Sequence, residues 1–291
     1  MSSTLLLQLA IAGVSVGSIY ALVALAIVLP FKASGVLNFA QGEVVTVGAY
    51  AALILTQLAL PYPVVLLGVV VLGAVGGVVM ERLLIRPIVA APEFTLVIAT
   101  FAIGLLIKGV ISLRFGDSPA SIDGPFGSEP LLMAGMRFNP TSLWILACTT
   151  AVTLAVIAFF RYARLGKAMR AVSVNPEAAM LMGIRVGTVY RFSWAISTAI
   201  GTLAGLLVAP LVGVNPELGQ LVLRGLLAAV IGGFTSVGGA IVGGVAVGLI
   251  ETYAGVLVGS AFKNLMPFVL LMLLLTLRPQ GLFGAADAKR V

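Results

Sequence analysis

The sequence has few charged residues and no histidine. Of its 291 residues only 9% are charged, whereas 60% are hydrophobic, and the mean hydropathy is +1.18. An ordinary soluble domain carries about 25% charged residues, and 27 charged side chains, 17 basic and 10 acidic, cannot cover a soluble fold of this size. The composition therefore excludes a soluble enzyme, a disordered chain and a disulfide-stapled secreted module. It indicates a polytopic membrane protein.

Other absences limit the chemistry of the chain. Without histidine, the sequence lacks the usual metal ligand and the side chain best suited to proton transfer near neutral pH. The single cysteine, Cys148, lies in an apolar run and is interpreted as a small packed hydrophobe. No segment matches the ATPase motif G-x-x-x-x-G-K-[ST]. We therefore expect no catalytic residue, metal or cofactor, and the scattered basic residues do not indicate nucleic-acid binding.

Long apolar runs predict transmembrane helices, because a helix needs about 20 mainly apolar residues to cross a bilayer. The runs are 5–29, 44–60, 63–80, 94–113, 141–160, 192–214, 225–262 and 265–277. The run 225–262 is too long for one crossing, and its glycine-rich centre, 232–239, suits a tight turn. The predicted fold class is an all-α polytopic membrane protein with eight or nine transmembrane helices.

The distribution of basic residues favours nine spans, because lysine and arginine concentrate on the cytoplasmic side. If the basic loop 161–191 is cytoplasmic, nine spans place 12 of the 17 basic residues inside, whereas eight spans place 10 there. We therefore expect an outside N-terminus and an inside C-terminus. Residues 1–291 form a single transmembrane domain in this interpretation.

The loop 161–191 contains the signals of a short helix. Asn175 is a favoured N-cap, and Pro176 suits the first helical position. Glu177 lies in the first turn, where the helix dipole favours negative charge, and Gly183 can end the helix in a left-handed conformation. A helix of about two turns is unstable alone in water. It either docks on the membrane domain, docks on a soluble partner, or is a mere connector.

Four segments resemble known permeases. Glu177, Ala178, Ala179 and, three residues later, Gly183 resemble the EAA-x-x-x-G core of bacterial ABC importer permeases, whose loop forms a coupling helix in a cleft of the ATPase subunit. The segments 35–43 (GVLNFAQGE), 232–240 (GGFTSVGGA) and 278–284 (RPQGLFG) resemble the LivH-type permeases of branched-chain amino acid importers. Gln41 departs from the histidine common in this branch, so no proton-linked role is carried over to it.

The resemblance implies a permease subunit that moves branched-chain or related amino acids across the bacterial inner membrane. It also implies two cytoplasmic ATPase subunits, a second permease subunit and an external substrate-binding protein. The second permease is expected to be a distinct paralogue, and an identical copy is left open. The residues expected to couple the chain to an ATPase are Asn175, Pro176, Glu177, Ala178, Ala179 and Gly183. The exact substrate is left open, since related permeases carry other small polar solutes.

Polar residues near the apolar runs are candidates for a transport pathway. Asn38, Gln41 and Glu43 precede the second run and are interpreted either as a pathway or gate at the inner mouth or as a helix-start cap. Lys108 is expected to snorkel to the outer face, and Glu251 to face the bundle interior or the outer water. No transport role is assigned to Glu81.

The alternative function is a stand-alone secondary transporter or channel for a small solute. The glycine-rich break keeps this function open, because such transporters use broken helices. They also place ionisable residues near the midplane of the membrane. Paired charges at that depth are not evident in the sequence.

Overall fold

The computed structural model describes residues 3–89, 91–127, 131–133, 136–278 and 280–284. Its α-helices are α1 (Ser3–Ser34), α2 (Gln41–Gln57), α3 (Tyr62–Val79), α4 (Glu93–Phe115), α5 (Pro140–Tyr162), α6 (Arg164–Val174), α7 (Pro176–Leu181), α8 (Val186–Val212), α9 (Leu221–Gly232), α10 (Val237–Leu257) and α11 (Ser260–Leu277). A π-helix (Met80–Ile85) and a 3₁₀ helix (Arg86–Ile88) continue α3, and a second 3₁₀ helix (Pro216–Gln220) precedes α9. Strands β1 (Leu131–Met133) and β2 (Met136–Phe138) form an antiparallel hairpin.

Helices dominate the structure, which confirms the predicted all-α membrane fold. Six helical segments are long and apolar enough to cross a membrane. Each contains one of the helices α1, α3, α4, α5, α8 and α10. The remaining apolar helices, α2, α9 and α11, are shorter. In α9, only 12 residues are helical, a length of about 18 Å. The preceding 3₁₀ helix extends this crossing.

The long apolar run breaks where its glycines predict. Helix α9 ends at Gly232 and α10 begins at Val237, with Gly233 in a left-handed conformation at φ +98°. The backbone N–H groups of Leu282 and Phe283 donate to the carbonyls of Ile231 and Gly232 at 2.8 and 3.0 Å. The C-terminal segment that the structure describes is therefore attached to this turn.

The same turn also contacts the end of α1, where the rings of Phe31 and Phe234 lie 5.1 Å apart. Ser34, at the end of α1, shares a cavity with Tyr190, near the start of α8. We call this side, which carries α6 and α7, the inner side. The end of α1, the start of α8, the turn at 232–239 and the described C-terminal segment therefore lie on the same side, which agrees with nine crossings. The sequence analysis also used Pro279, Lys289 and Arg290. These three residues lie outside the described residues.

Helices α1 and α8 form the centre of the bundle. The crossing segments that contain α1 and α8 are 78% and 72% buried, whereas those of α3, α4 and α5 are 17–28% buried. Gly244 and Gly248 of α10 pack directly against α1, and Gly239 and Gly243 pack against α9. The two G-x-x-x-G pairs therefore act in packing within the subunit, because small residues let helix backbones approach closely.

Threonine hydroxyls hold α3 against α8. The Oγ1 atoms of Thr198 and Thr202 donate to the carbonyls of Gly73 and Val69 at 2.7 and 3.1 Å. Gly77 lies one turn further along α3, where an added methyl group would overlap Thr198 and the carbonyl of Trp194. The neighbouring Gly76 faces open space. This contrast between adjacent glycines tests the packing.

We expect Gly77→Ala to lower the thermal unfolding midpoint of the detergent-purified protein by several degrees, since overpacking costs about 1–3 kcal/mol. Gly76→Ala makes the same chemical change on the same helix and should leave the midpoint unchanged or slightly raised. Equal midpoints for the two variants would contradict the close contact between α3 and α8.

Candidate functional site

The short helix of the inner loop begins as its sequence predicts. Helix α7 starts at Pro176, and the Asn175 side chain accepts a hydrogen bond from the backbone N–H of Ala178 at 3.0 Å. Glu177 lies in the first turn. The N-cap, the proline and the acidic residue together stabilise a helix of only six residues.

The end of α7 is equally well defined. Gly183 has φ +81°, and its N–H donates to the carbonyl of Met180 at 2.9 Å. The N–H of Ile184 donates to the carbonyl of Ala179 at 3.0 Å. This pair of bonds is a Schellman motif, which satisfies the last carbonyls of a helix and requires a residue that tolerates positive φ.

One face of α7 packs on its own domain while its tip stays exposed. Ala179 is buried in a small cluster with Met169 and Val172 of α6 and Val189 of α8. At the C-terminal end, Leu181 is 89% and Met182 82% exposed, and Met180 is also exposed. We call these three residues the coupling tip. Exposed basic residues of the same loop are Arg164, Lys167 and Arg170 of α6 and Arg185, which follows α7.

The segment between α1 and α2 is irregular backbone held among transmembrane helices. Asn38 donates to Gln41 Oε1 at 3.0 Å, and Ser197 Oγ donates to the same oxygen at 3.3 Å. Thr100 Oγ1 donates to the carbonyl of Leu37 at 3.2 Å. Since Asn38 and Gln41 are fully buried, their contacts are those of a structural clamp. A pathway role for these two residues stays a prediction.

Glu43 has a different environment from its two neighbours. It is half-buried on the first turn of α2, where its carboxylate lies against the backbone of Gly219. Its Oε2 atom has no hydrogen-bond partner. Of the three candidate pathway residues, Glu43 is the one that combines partial exposure with an unpaired polar atom.

Lys108 and Glu217 form an ion pair close to Glu43. Lys108 Nζ lies 2.7 Å from Glu217 Oε1, with the two side chains 34% and 57% exposed. Lys108 lies seven residues before the end of α4, or about 10 Å along the helix. The expectation that Lys108 snorkels to the outer face stays a prediction, and its ammonium pairs with Glu217 of the 3₁₀ helix. With Glu43 and Gln220, this pair forms what we call the polar face.

A second charged cluster joins four helices around Glu251, whose side chain is 2% exposed. Tyr20 Oη donates to its Oε2 atom at 2.7 Å, and Arg224 Nε lies 3.3 Å from the same oxygen. Lys263 Nζ lies 3.8 Å from Oε1. The burial confirms that Glu251 faces the interior, where its partners come from α1, α9 and α11. Buried charges are tolerated when they are paired in this way.

The sequence arguments missed Glu217 and its pairing with Lys108. A signal was available, because Asn215-Pro216-Glu217 repeats the Asn175-Pro176-Glu177 pattern of α7. Asn215 caps the 3₁₀ helix by accepting from the N–H of Glu217 at 2.9 Å. The repeated pattern predicts a second capped helix start. It does not predict which cation reaches its carboxylate.

Comparison with known proteins places the chain near amino acid permeases. The family model described as "Branched-chain amino acid transport system / permease component" matches residues 9–275. The permease protein LivH of the high-affinity branched-chain amino acid transport system of Escherichia coli K12 is 29% identical over 96% of each chain. BraD of Pseudomonas aeruginosa is 28% identical over 98% of each chain. A probable LivH of Methanocaldococcus jannaschii is 30% identical over 90% of this chain and 88% of its own.

The contrast between Gln41 and Glu43 gives a stability test. Gln41→Leu leaves the side-chain N–H of Asn38 without its acceptor in a buried site, whereas Ser197 Oγ keeps the carbonyl of Ala26. An unpaired group of this kind costs about 1–3 kcal/mol. We expect a lower thermal unfolding midpoint. Glu43→Gln keeps the shape of a half-exposed side chain and should leave the midpoint unchanged. If Glu43→Gln were as destabilising as Gln41→Leu, the assignment of different roles to the two residues would be wrong.

Proposed function

The chain belongs to the family of permease components of branched-chain amino acid transport systems, and we propose that it is the transmembrane permease subunit of an ABC importer for branched-chain or related amino acids. The importer lies in the bacterial inner membrane. It contains two cytoplasmic ATPase subunits, a second, paralogous permease and an external substrate-binding protein. The observation that carries the proposal is the coupling tip, where apolar side chains at the end of α7 are exposed outside the transmembrane helices.

The coupling tip fits a groove on an ATPase subunit. Leu181 and Met182 are almost fully exposed on the inner side, although apolar side chains gain free energy by leaving water. The exposed basic residues of the same loop suit an acidic surface on the partner. Meanwhile Ala179 ties α7 to α6 and α8, so a displacement of the tip is passed to the start of α8, one of the two central helices.

The polar face fits a transport pathway between two permeases. Lys108, Glu217 and Gln220 are partly or largely exposed at the side of a membrane bundle. Charged side chains facing hydrocarbon are costly, so such residues face protein or a water-filled cavity. A second permease across this face would enclose the pathway, and Glu43 would lie in its wall.

Transport then follows from rigid-body movement of the two bundles. ATP binding closes the ATPase pair and displaces α7, and α8 transmits this movement toward the polar face. The external binding protein delivers the substrate and supplies most of the selectivity. Uptake driven by an ion gradient in liposomes that hold the purified chain alone would instead favour a stand-alone transporter.

We expect Leu181→Ala to reduce ATPase association and uptake about tenfold, because burial of a leucine side chain is worth about 1.5–3 kcal/mol. Glu177→Lys and Gly183→Pro should weaken association too, since they disturb the start and end of α7. The measurements are copurification of the ATPase subunits and uptake into proteoliposomes.

The matched control is Leu113→Ala on α4, which removes the same atoms from a side chain that is 91% exposed. It should leave ATPase association unchanged. Membrane insertion should be normal in every variant. Normal coupling in both Leu181→Ala and Gly183→Pro would contradict the assignment of α7.

The pathway assignment predicts a difference between two positions on α4. In a Cys148→Ser background, Lys108→Cys should react with a membrane-impermeant maleimide at least about tenfold faster than Leu106→Cys, because the reactive thiolate forms in water and not in hydrocarbon. Leu106 is itself 70% exposed. A slower reaction at Leu106→Cys would therefore show that its surface faces lipid, and not that the position is buried. Equal labelling rates in the assembled importer would show that the polar face is not hydrated.

A further inference from the structure

Three buried polar atoms without a hydrogen bond lie where the π-helix that continues α3 meets α8. In the part of the chain that the structure describes, six buried side-chain nitrogen or oxygen atoms have no hydrogen-bond partner, and three of them are Glu81 Oε2, Arg191 Nε and Trp194 Nε1. Glu81 is 2% and Trp194 0% exposed. Since buried polar groups are almost always paired, this concentration indicates a site that takes a polar ligand.

Glu81 and Trp194 border a cavity on the inner side, and Arg191 lies beside Glu81. The cavity has a volume of about 190 Å³, and its lining includes Ser34, Glu81, Arg86, Tyr190 and Trp194. This is the space of several water molecules, at about 30 Å³ each. Its walls come from the end of α1, the end of α3 and the start of α8, so it lies at the level where these helices leave the membrane.

The chemistry of the lining selects an anion. The indole N–H of Trp194 and the arginine guanidinium groups can only donate hydrogen bonds. Of the charged residues, Arg86 and Glu81 line the cavity, and Arg82 and Arg191 lie within electrostatic reach of Glu81, so three guanidinium groups surround one carboxylate. Glu81 itself is engaged, since Arg191 Nε lies 3.8 Å from its Oε2 atom. A phosphate group supplies both the negative charge and the acceptor oxygens.

The surroundings favour a lipid over a soluble phosphate. The apolar side chains of Val79, Leu83 and Leu84, at the end of α3 and on the π-helix, are exposed on the same segment as Glu81. The inner leaflet carries anionic lipids, and basic cavities between transmembrane helices on that side bind their headgroups. We propose that this cavity binds the phosphate group of an anionic phospholipid of the inner leaflet, with its acyl chains along Val79, Leu83 and Leu84.

A lipid in this position would connect α3 with α8. Tyr190 and Gly187 line the cavity from the first turns of α8, which follow directly after α7 and Gly183. The bound phosphate would bridge these turns to Arg86. The site is therefore separate from the polar face, and lipid binding does not require the ATPase subunits or a substrate.

The test is native mass spectrometry of the detergent-purified full chain with phosphatidylglycerol and phosphatidylcholine of identical acyl chains. We expect a preference of about tenfold for phosphatidylglycerol, with most of this preference lost in Arg86→Ala and in Trp194→Phe, which keeps an aromatic ring but removes the N–H donor. Arg114→Ala, at the far end of α4, removes the same charge and should keep the preference.

Three outcomes would overturn the proposal. The first is an unchanged phosphatidylglycerol preference in both Arg86→Ala and Trp194→Phe, and the second is equal binding of the two lipids by the unmodified chain. The third is displacement of the lipid by inorganic phosphate or glycerol 3-phosphate at the concentration at which phosphatidylglycerol itself competes, which would indicate a site for free phosphate. If Trp194→Phe does not fold, the measurement on Arg86→Ala decides the result, because Arg86 is exposed and its replacement does not disturb the core. Because the measurement involves neither ATPase nor transport, its failure is distinguishable from failure of the importer assignment.

Discussion

The structure depends on satisfying backbone polar groups inside the membrane. The segment between α1 and α2 is not helical, yet it lies among transmembrane helices, where unpaired N–H and C=O groups are costly. Thr100, Asn38 and Ser197 provide hydrogen bonds for this region. Because this clamp holds the start of α2 within the bundle, Glu43 can lie against Gly219 of the 3₁₀ helix. That placement adds Glu43 to the polar face, whose other members are held together by Glu217.

The charged residues of this chain form three groups that lie at different places in the bundle. Glu251 itself is buried and joins four helices through its partners, of which Arg224 and Lys263 are partly exposed. The Lys108–Glu217 pair is open to one side of the bundle, as a pathway between two subunits would require. The pair of Glu81 with Arg191 lies at the inner end of α3, near the headgroups. The three groups differ in their surroundings, and we assign each a different role for that reason.

The inner loop connects an exposed helix end with the centre of the bundle. Helix α7 has a capped start and end but one buried side chain, Ala179, so its position depends on α6 and α8. Helix α8 then runs past the lipid cavity and the clamp at Ser197, and threonines along it hold α3. Such a helix can transmit a displacement because it is packed on several sides. This continuity links the proposed ATPase contact with the proposed pathway.

Local signals in the sequence determined the membrane class, the positions of the apolar helices, the break at 232–239 and both ends of α7. These features depend on hydropathy and on backbone preferences within a few residues, as for Asn175 and Gly183. Tertiary structure alone decided that Gln41 is a buried clamp while Glu43 is half-exposed, and that Lys108 meets Glu217. Those outcomes depend on contacts between residues more than 100 positions apart. The pattern of a single helix carries no information about which distant side chain it will face.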